Sequence, residues 1–241
     1  MISVFAVEGL PEIRTGDDLG AIIANASPLL SGDVVVIAHK TVSKAEGRIV
    51  ALADVEPSDR AHALCGPDTD ARQIEVILGE TTRVVRSRGG LVIAETRHGF
   101  VCASAGVDHS NADPGTVILL PVDPDASARA IRETVAREAD VQVAVIITDS
   151  FGRPFRRGTT DVAIGVAGLD PLRDLRGSLD RSGRALRSTQ IALADEIAAA
   201  ADLTRTGKAD GLPVVIVRGV PFDGDGSASA LVMPADRDLF R

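Results

Sequence analysis

Three short runs, VVVIA at 34–38, VAVIIT at 143–148 and LPVVIV at 212–217, constrain the fold most. Each is apolar, rich in β-branched residues and too short for a helix, the pattern of a buried strand. The middle run changes character abruptly. It ends in Thr148, Asp149 and Ser150, and three arginines follow at Arg153, Arg156 and Arg157. A carboxylate at the exit of a buried strand needs a partner, because unpaired buried charge is costly. The candidates for Asp149 are a helix cap, an ion pair with Arg153, or a metal ion.

The remaining segments fill in around these strands. ISVFAV reads as a strand and GLPEIRTG as a loop. DDLGAIIANASPLL places Leu19, Ile22, Ile23 and Ala26 on one helical face, with Asp17 or Asp18 near the N-cap. GDVVVIAHK predicts a buried strand that runs out into the lysine pair, Lys40 and Lys44. ARQIEVILGE predicts a helix with Ile74, Ile77 and Leu78 on one side. RVVRSR and LVIAET flank Gly89-Gly90, a two-residue hairpin signal, and FVCASAG extends the pair to a meander. After the polar VDHSNADPG come a strand, TVILLPV, and a helix, DASARAIRETVARE, with Ala128, Ile131 and Val135 inward. Residues 158–187 carry Gly, Arg and Asp without a period and take no assignment. STQIALADEIAAAADL predicts a helix capped by Ser188. A β-rich middle between α/β flanks predicts an α+β chain of two domains, a discontinuous one over 1–80 and 187–241 and an inserted one over 81–186.

Composition excludes several classes. An apolar share of 45% with 25% charged residues argues for a folded core and against disorder. No segment approaches the roughly 20 apolar residues of a membrane span, and MISVFAVEGLPEI lacks the features of a signal peptide. Cys65 and Cys102 have no metal-type spacing and make no disulfide framework, so a cytoplasmic protein with free thiols is the simplest expectation. The net charge of −8 disfavours a general nucleic-acid binder. Against that balance, residues 146–187 hold eight arginines and five aspartates, either a solvated surface or a site for small anions that Arg grips bidentately. The chain has 23 arginines but only three lysines, Lys40, Lys44 and Lys208. Lysine at these positions hints at a need for a compact ammonium that a planar guanidinium does not replace.

Familiar catalytic motifs are missing. There is no P-loop, no G-x-G-x-x-G after a strand and no G-x-S-x-G, and the four histidines form no zinc pattern. What remains is oxygen-rich: Asp108, Ser110 and Asn111 in one loop, Asp149 and Ser150 at one strand end. Such donors suit hard cations, Mg²⁺ or Mn²⁺, which bind one or two carboxylates together with substrate phosphates. The plainer reading of Asp108 is an Asx-turn, routine for D-x-S-N. Glu46 reads as a surface carboxylate.

GLPEI (9–13), KTVSKAEGR (40–48), GVDHSN (106–111) and VIITDSFGRPFRRGTTDVAIG (145–165) together resemble one family, the coenzyme F420-0:γ-glutamyl ligases, or CofE family. The resemblance spans essentially the whole chain. It implies a CofE-like two-domain α+β subunit without P-loop or Rossmann fold, with GTP bound by the discontinuous domain and the metal-site aspartates in the inserted one. It also implies an intertwined homodimer. The implied activity attaches L-glutamate to a carboxylate of F420-0, and then through a γ-linkage to F420-1, using GTP with two divalent ions (Mg²⁺ or Mn²⁺) and K⁺. By motif, Asp108, Asp149 and Ser150 would hold metal. Leu10, Pro11, Glu12, Ile13, His39, Lys40, Lys44 and Asn111 would line the GTP site, closed by Thr206, Gly207 and Lys208 in the 206–213 segment. Arg153, Arg156 and Arg157 are candidates for the substrate anions. The alternatives left open are a nucleotide-binding carrier or regulatory module on the same scaffold, and a ligase for a related carboxylate acceptor.

Overall fold

The computed structural model describes residues 1–205 and 211–239. In chain order the elements are β1 (Ser3–Ala6), α1 (Leu19–Ala26), β2 (Val34–Ala38), α2 (His39–Ala45), β3 (Ile49–Ala51), α3 (Asp59–Leu64) and α4 (Ala71–Gly79). A β-rich stretch follows: β4 (Thr81–Arg88), β5 (Leu91–Thr96), β6 (Val101–Ala103) and β7 (Thr116–Ile118). Then come α5 (Pro124–Ala139), β8 (Ala144–Gly152), β9 (Thr159–Ala167), the short β10 (Arg173–Asp174) and β11 (Gln190–Ile191), α6 (Leu193–Asp202) and β12 (Val214–Arg218).

The three β-branched runs become the middle of one five-stranded sheet, ordered β1-β12-β2-β8-β9. β2 and β8 run parallel, from Val34 opposite Ala144 to Ala38 opposite Thr148, and the other pairings are antiparallel. Strand alternation sends Val35, Ile37, Val145, Ile147 and Ile216 to one face, where Ile23 of α1 and Ile131 and Val135 of α5 pack on them. Val34, Val36, Ile146, Val215 and Val217 face the other way, onto Leu193, Ala194 and Ile197 of α6. Helices on both faces explain why these strands read as unbroken apolar runs rather than alternating ones. Each isoleucine fully buried in this way contributes about 1.5–3 kcal/mol.

A third cluster joins α3 and α4 to β5 and β7 through Ala61, Ile74, Ile77, Val92, Ala94 and Val117. Beside it β4, β5 and β6 form the expected meander. Gly89 and Gly90 have φ of 57° and 88°, the left-handed pair that a two-residue type I′ connection requires. Helices α1 and α5 start at side-chain caps. Asp18 accepts the Ala21 N–H at the start of α1, and Asp123 accepts that of Ala126 ahead of Pro124 in α5.

The α+β class holds, and four particulars differ from expectation. The strand expected over GDVVVIAHK stops at Ala38, and HKTVSKA is a helix, α2, started by Ala38 without any side-chain cap. Residues 159–167, left unassigned, are the nine-residue strand β9. Its apolar run is interrupted by Asp161 and by Gly165, where a Cβ would lie 2.4 Å from the Pro124 carbonyl oxygen. Helix α6 begins at Leu193 rather than after Ser188, with Asp195 and Glu196 in its first turn where the helix dipole favours them. Finally, the main sheet crosses the boundaries expected at 81 and 186. β8 and β9 hydrogen-bond into the same sheet as β1, β2 and β12, so Asp149 belongs to that sheet and not to the β4–β6 meander.

Candidate functional site

The parallel strands β2 and β8 end side by side, and a cleft of about 810 Å³ opens at their carboxyl ends. That volume lies within the range typical of ligand pockets, about 300–1,000 Å³. Its floor is His39, Lys40 and Lys44 of α2 beside Thr148, Asp149 and Ser150 of β8. Loops 10–13 and 108–113 close two sides, and Asp161, Asp202, Arg205 and residues 211–213 close another.

Asp108 is fixed by its backbone, which exchanges hydrogen bonds with Ile118. The Asx-turn is present: Oδ1 accepts the Ser110 N–H at 2.7 Å. The same carboxylate does more, because Oδ2 accepts the Ser110 hydroxyl at 2.9 Å and lies 2.5 Å from Lys40 Nζ. Lys40 also donates to Ser110 Oγ. Burial alone would raise the Asp108 pKa, but the Lys40 ammonium and the Ser110 donors hold it well below the usual carboxylate range.

Asp149 is neither a helix cap nor the partner of Arg153. Its Oδ1 accepts the Ser150 N–H at 2.8 Å and lies 3.2 Å from Nε2 of His39, a buried ring. That contact lacks hydrogen-bond alignment, so His39 Nε2 is a buried polar atom without a hydrogen-bond partner. Burial pushes the Asp149 carboxyl upward, and His39, the Ser150 N–H and Lys40 together bring it below its ordinary value. Lys44, in the last turn of α2, reaches Glu12 at 2.6 Å and so ties the helix to the 10–13 loop.

The described lining carries six carboxylates (Glu12, Asp108, Asp113, Asp149, Asp161, Asp202) against the side-chain cations Lys40, Lys44 and Arg205. An anionic substrate entering such a cleft needs further positive charge there. Among the described residues no group of three or more His, Cys, Asp or Glu forms a closed metal cage. The donors available are the Asp108 and Asp149 carboxylates and the Ser150 hydroxyl, an oxygen set that fits Mg²⁺ or Mn²⁺ with coordination completed by substrate phosphate and water.

Comparison with known proteins identifies the scaffold. Residues 9–219 match the family model of F420-0:Gamma-glutamyl ligase. The chain belongs to this family. Among curated relatives, a Methanothermobacter thermautotrophicus protein named Coenzyme F420:L-glutamate ligase is 44% identical over 249 residues, covering 100% of this chain and 99% of the relative. The protein of that name from Methanopyrus kandleri is 47% identical over 236 residues, covering 95% and 94%. The Methanocaldococcus jannaschii one is 40% identical over 245 residues, covering 100% and 97%.

In this γ-glutamyl ligase chain Leu10, Pro11, Glu12, Ile13, His39, Lys40, Lys44, Asp108, Asn111, Asp149 and Ser150 all border the one cleft. Asn111 takes a left-handed backbone, φ 60°, which asparagine tolerates better than most residues. Arg153, Arg156 and Arg157 do not line the cleft. They sit exposed in the β8–β9 turn, where Arg153 Nη2 donates to the Arg157 carbonyl at 2.9 Å. Thr206, Gly207 and Lys208 lie outside the described residues. Glu46 is exposed, as expected, and accepts a hydrogen bond from Ser127. Asp161 and Arg205 were not anticipated. Asp161 is buried, and its Oδ2 lies 2.7 Å from Arg205 Nη1. The one signal for it was a carboxylate inside a β-branched stretch, TTDVAIG, which is costly unless it is paired.

Proposed function

We propose that this chain is a GTP-dependent ligase that joins the amine of L-glutamate to the carboxylate of coenzyme F420-0, and then γ-links a further glutamate to F420-1. The names of its relatives support the substrates. The observation that carries the reading is the cleft itself, which the Asp108 and Asp149 carboxylates line together with the Lys40 and Lys44 ammonium groups.

A carboxylate does not condense with an amine in water, so it must first gain a leaving group. An oxygen of the acceptor carboxylate attacks the γ-phosphorus of GTP, the bond to the β-phosphate oxygen breaks, and GDP leaves an acyl phosphate. The glutamate amine then attacks the acyl carbon, inorganic phosphate departs, and the nitrogen loses a proton to solvent or phosphate. Lys40, Lys44, Asn111 and loop 10–13 bind the nucleotide and hold its γ-phosphate in line with the acceptor. The Ser150 N–H holds Asp149 Oδ1, and the buried His39 ring closes the inner side of that carboxylate. Asp108, Asp149 and Ser150 would hold two divalent ions, Mg²⁺ or Mn²⁺, with K⁺ alongside, and these supply charge neutralisation for the transferring phosphoryl group. By the same resemblance the working unit is a homodimer in the cytoplasm; among the described residues no helix is long and apolar enough to cross a membrane.

The test is incubation with GTP, F420-0, L-glutamate and Mn²⁺, followed by mass spectrometry and GDP assay. One GDP should form for each glutamyl bond. Tight GTP binding with neither GDP nor a heavier F420 would instead establish a carrier or regulatory module. Turnover with another carboxylate but not F420-0 would move the acceptor assignment.

A further inference from the structure

Asp161 stands directly opposite Ser150 in the β8–β9 ladder, with its side chain almost wholly buried at 4% exposure. Three donors converge on its two oxygens. Ser150 Oγ donates to Oδ1 at 2.6 Å, Thr148 Oγ1 donates to Oδ2 at 2.9 Å, and Arg205 Nη1 donates to Oδ2 at 2.7 Å. Arg205 is itself held, with Nε on the Leu212 carbonyl at 3.2 Å and Nη2 on the Pro213 carbonyl at 3.1 Å. The guanidinium therefore cannot swing away from Asp161 without leaving two backbone acceptors unmet.

The consequence lies at Ser150. A serine hydroxyl has one proton to donate and two lone pairs. An ionised carboxylate only accepts, so the Ser150 proton is committed to Asp161 and the lone pairs are left for the cleft. Without that acceptor the hydroxyl rotates freely and can present its proton to a cation instead. We propose that Asp161, neutralised by Arg205, is a positioning residue that fixes the Ser150 hydroxyl as an oxygen donor to a divalent cation. Asp161 acts on the cation through Ser150 and not by direct contact. Outer partners of metal ligands commonly act this way, and their loss weakens metal binding about 10–100-fold. Thr148 shares the carboxylate but donates to the other oxygen, so it serves as an internal control.

This inference rests on the reading of Ser150 as a cation ligand, and the experiment separates the two. Mn²⁺ is titrated in the presence of GDP, with free Mn²⁺ followed by electron paramagnetic resonance, for wild type, Ser150→Ala, Asp161→Asn, their double variant and Thr148→Val. Expected are a loss of Mn²⁺ affinity of about tenfold in both Ser150→Ala and Asp161→Asn, a double variant no weaker than Ser150→Ala alone, and Thr148→Val close to wild type. With Mn²⁺ saturating, the kcat of Asp161→Asn should recover while its apparent KM for Mn²⁺ stays raised. Because Asp161→Asn strands the Arg205 charge, the cycle is repeated with Arg205→Gln added, which neutralises both partners. If Asp161→Asn costs as much in the Ser150→Ala background as in wild type, the residue acts by charge or by general structure and the positioning role is wrong. Unchanged affinity in Asp161→Asn, or an equal loss in Thr148→Val, also overturns it. No effect of Ser150→Ala overturns the cation reading of Ser150 itself, and the positioning role with it.

Discussion

Lys40→Met removes the ammonium from Asp108 while keeping side-chain length and helix propensity nearly constant. In the wild type Nζ lies 2.5 Å from Oδ2, and the two side chains are 17% and 28% exposed, so solvent screens the pair only in part. Losing a hydrogen bond to a charged group costs about 1.5–3 kcal/mol, and the full cost of stranding a buried charge, about 3–5 kcal/mol, does not apply. Asp108 keeps the Ser110 N–H at 2.7 Å and the Ser110 hydroxyl at 2.9 Å. A loss near the lower end, about 2 kcal/mol, corresponds to a fall in Tm of about 4–8 °C for a chain of this size. The pH sign follows from the direction of the shift. Asp108 is held below the usual range, so its contribution is complete above the ordinary Asp value of about 3.9 and is lost as pH falls below it. The gap in Tm between wild type and Lys40→Met should therefore stay constant from about pH 7 down to about pH 4 and narrow only as pH falls further toward the depressed value. The chain has no Trp or Tyr, so melts are followed by far-ultraviolet circular dichroism, with EDTA present. Equal Tm values at neutral pH, or a gap that already closes above about pH 4, would refute the ion-pair argument.

Asp149→Asn should fold but lose most ligase turnover, and EDTA should stop the wild-type reaction, with Mg²⁺ or Mn²⁺ restoring it and Zn²⁺ not; rescue by Zn²⁺ alone would show that the oxygen-donor reasoning is mistaken. Lys44→Arg should raise the KM for GTP, because the bulkier planar guanidinium replaces a point charge already packed at 2.6 Å from Glu12. Its Tm without nucleotide should barely move, and a KM equal to that of the control Arg60→Lys would make the lysine an accident of composition. The Cys102 thiol is pushed up to about 12 by burial, with Asp149 adding to the shift. Iodoacetamide at about pH 8, near an ordinary thiol pKa, should therefore label half-buried Cys65 and spare Cys102 until the protein unfolds, as read by peptide mass spectrometry. The same shift contributes stability in full below the ordinary thiol value of about 8.5, lost as pH rises above it.

The parts of this molecule legible in its sequence are those where one physical pattern acts alone. β2, β8 and β12 read as strands because helices cover both sheet faces, and α5 reads as a helix because a single face carries Ala128, Ile131 and Val135. Strand β9 was hidden because two tertiary demands break its pattern, Asp161 for Ser150 and Arg205, and Gly165 for the close approach of α5. Helix α2 has seven residues and no capping side chain, so nothing local announces it. At the site, the segments bearing Asp108, Asp149, Lys40 and Lys44 were found by motif, but their partners were not. Asp149 is followed by arginines in sequence, yet the β8–β9 turn carries those arginines to an exposed tip and leaves the carboxylate facing His39. Arg205 lies 44 residues from Asp161 and meets it only because α6 packs back onto the main sheet.

The most direct test of the proposed chemistry follows one oxygen atom. F420-0 carrying oxygen-18 in both oxygens of its acceptor carboxylate is turned over with GTP, L-glutamate and Mn²⁺, and the released phosphate is analysed by mass spectrometry. Attack of that carboxylate on the γ-phosphorus predicts one oxygen-18 in each phosphate released by the first glutamyl addition, formed together with GDP and an F420 product one glutamyl unit heavier. Unlabelled phosphate accompanying the same product would contradict the acyl-phosphate route through this cleft.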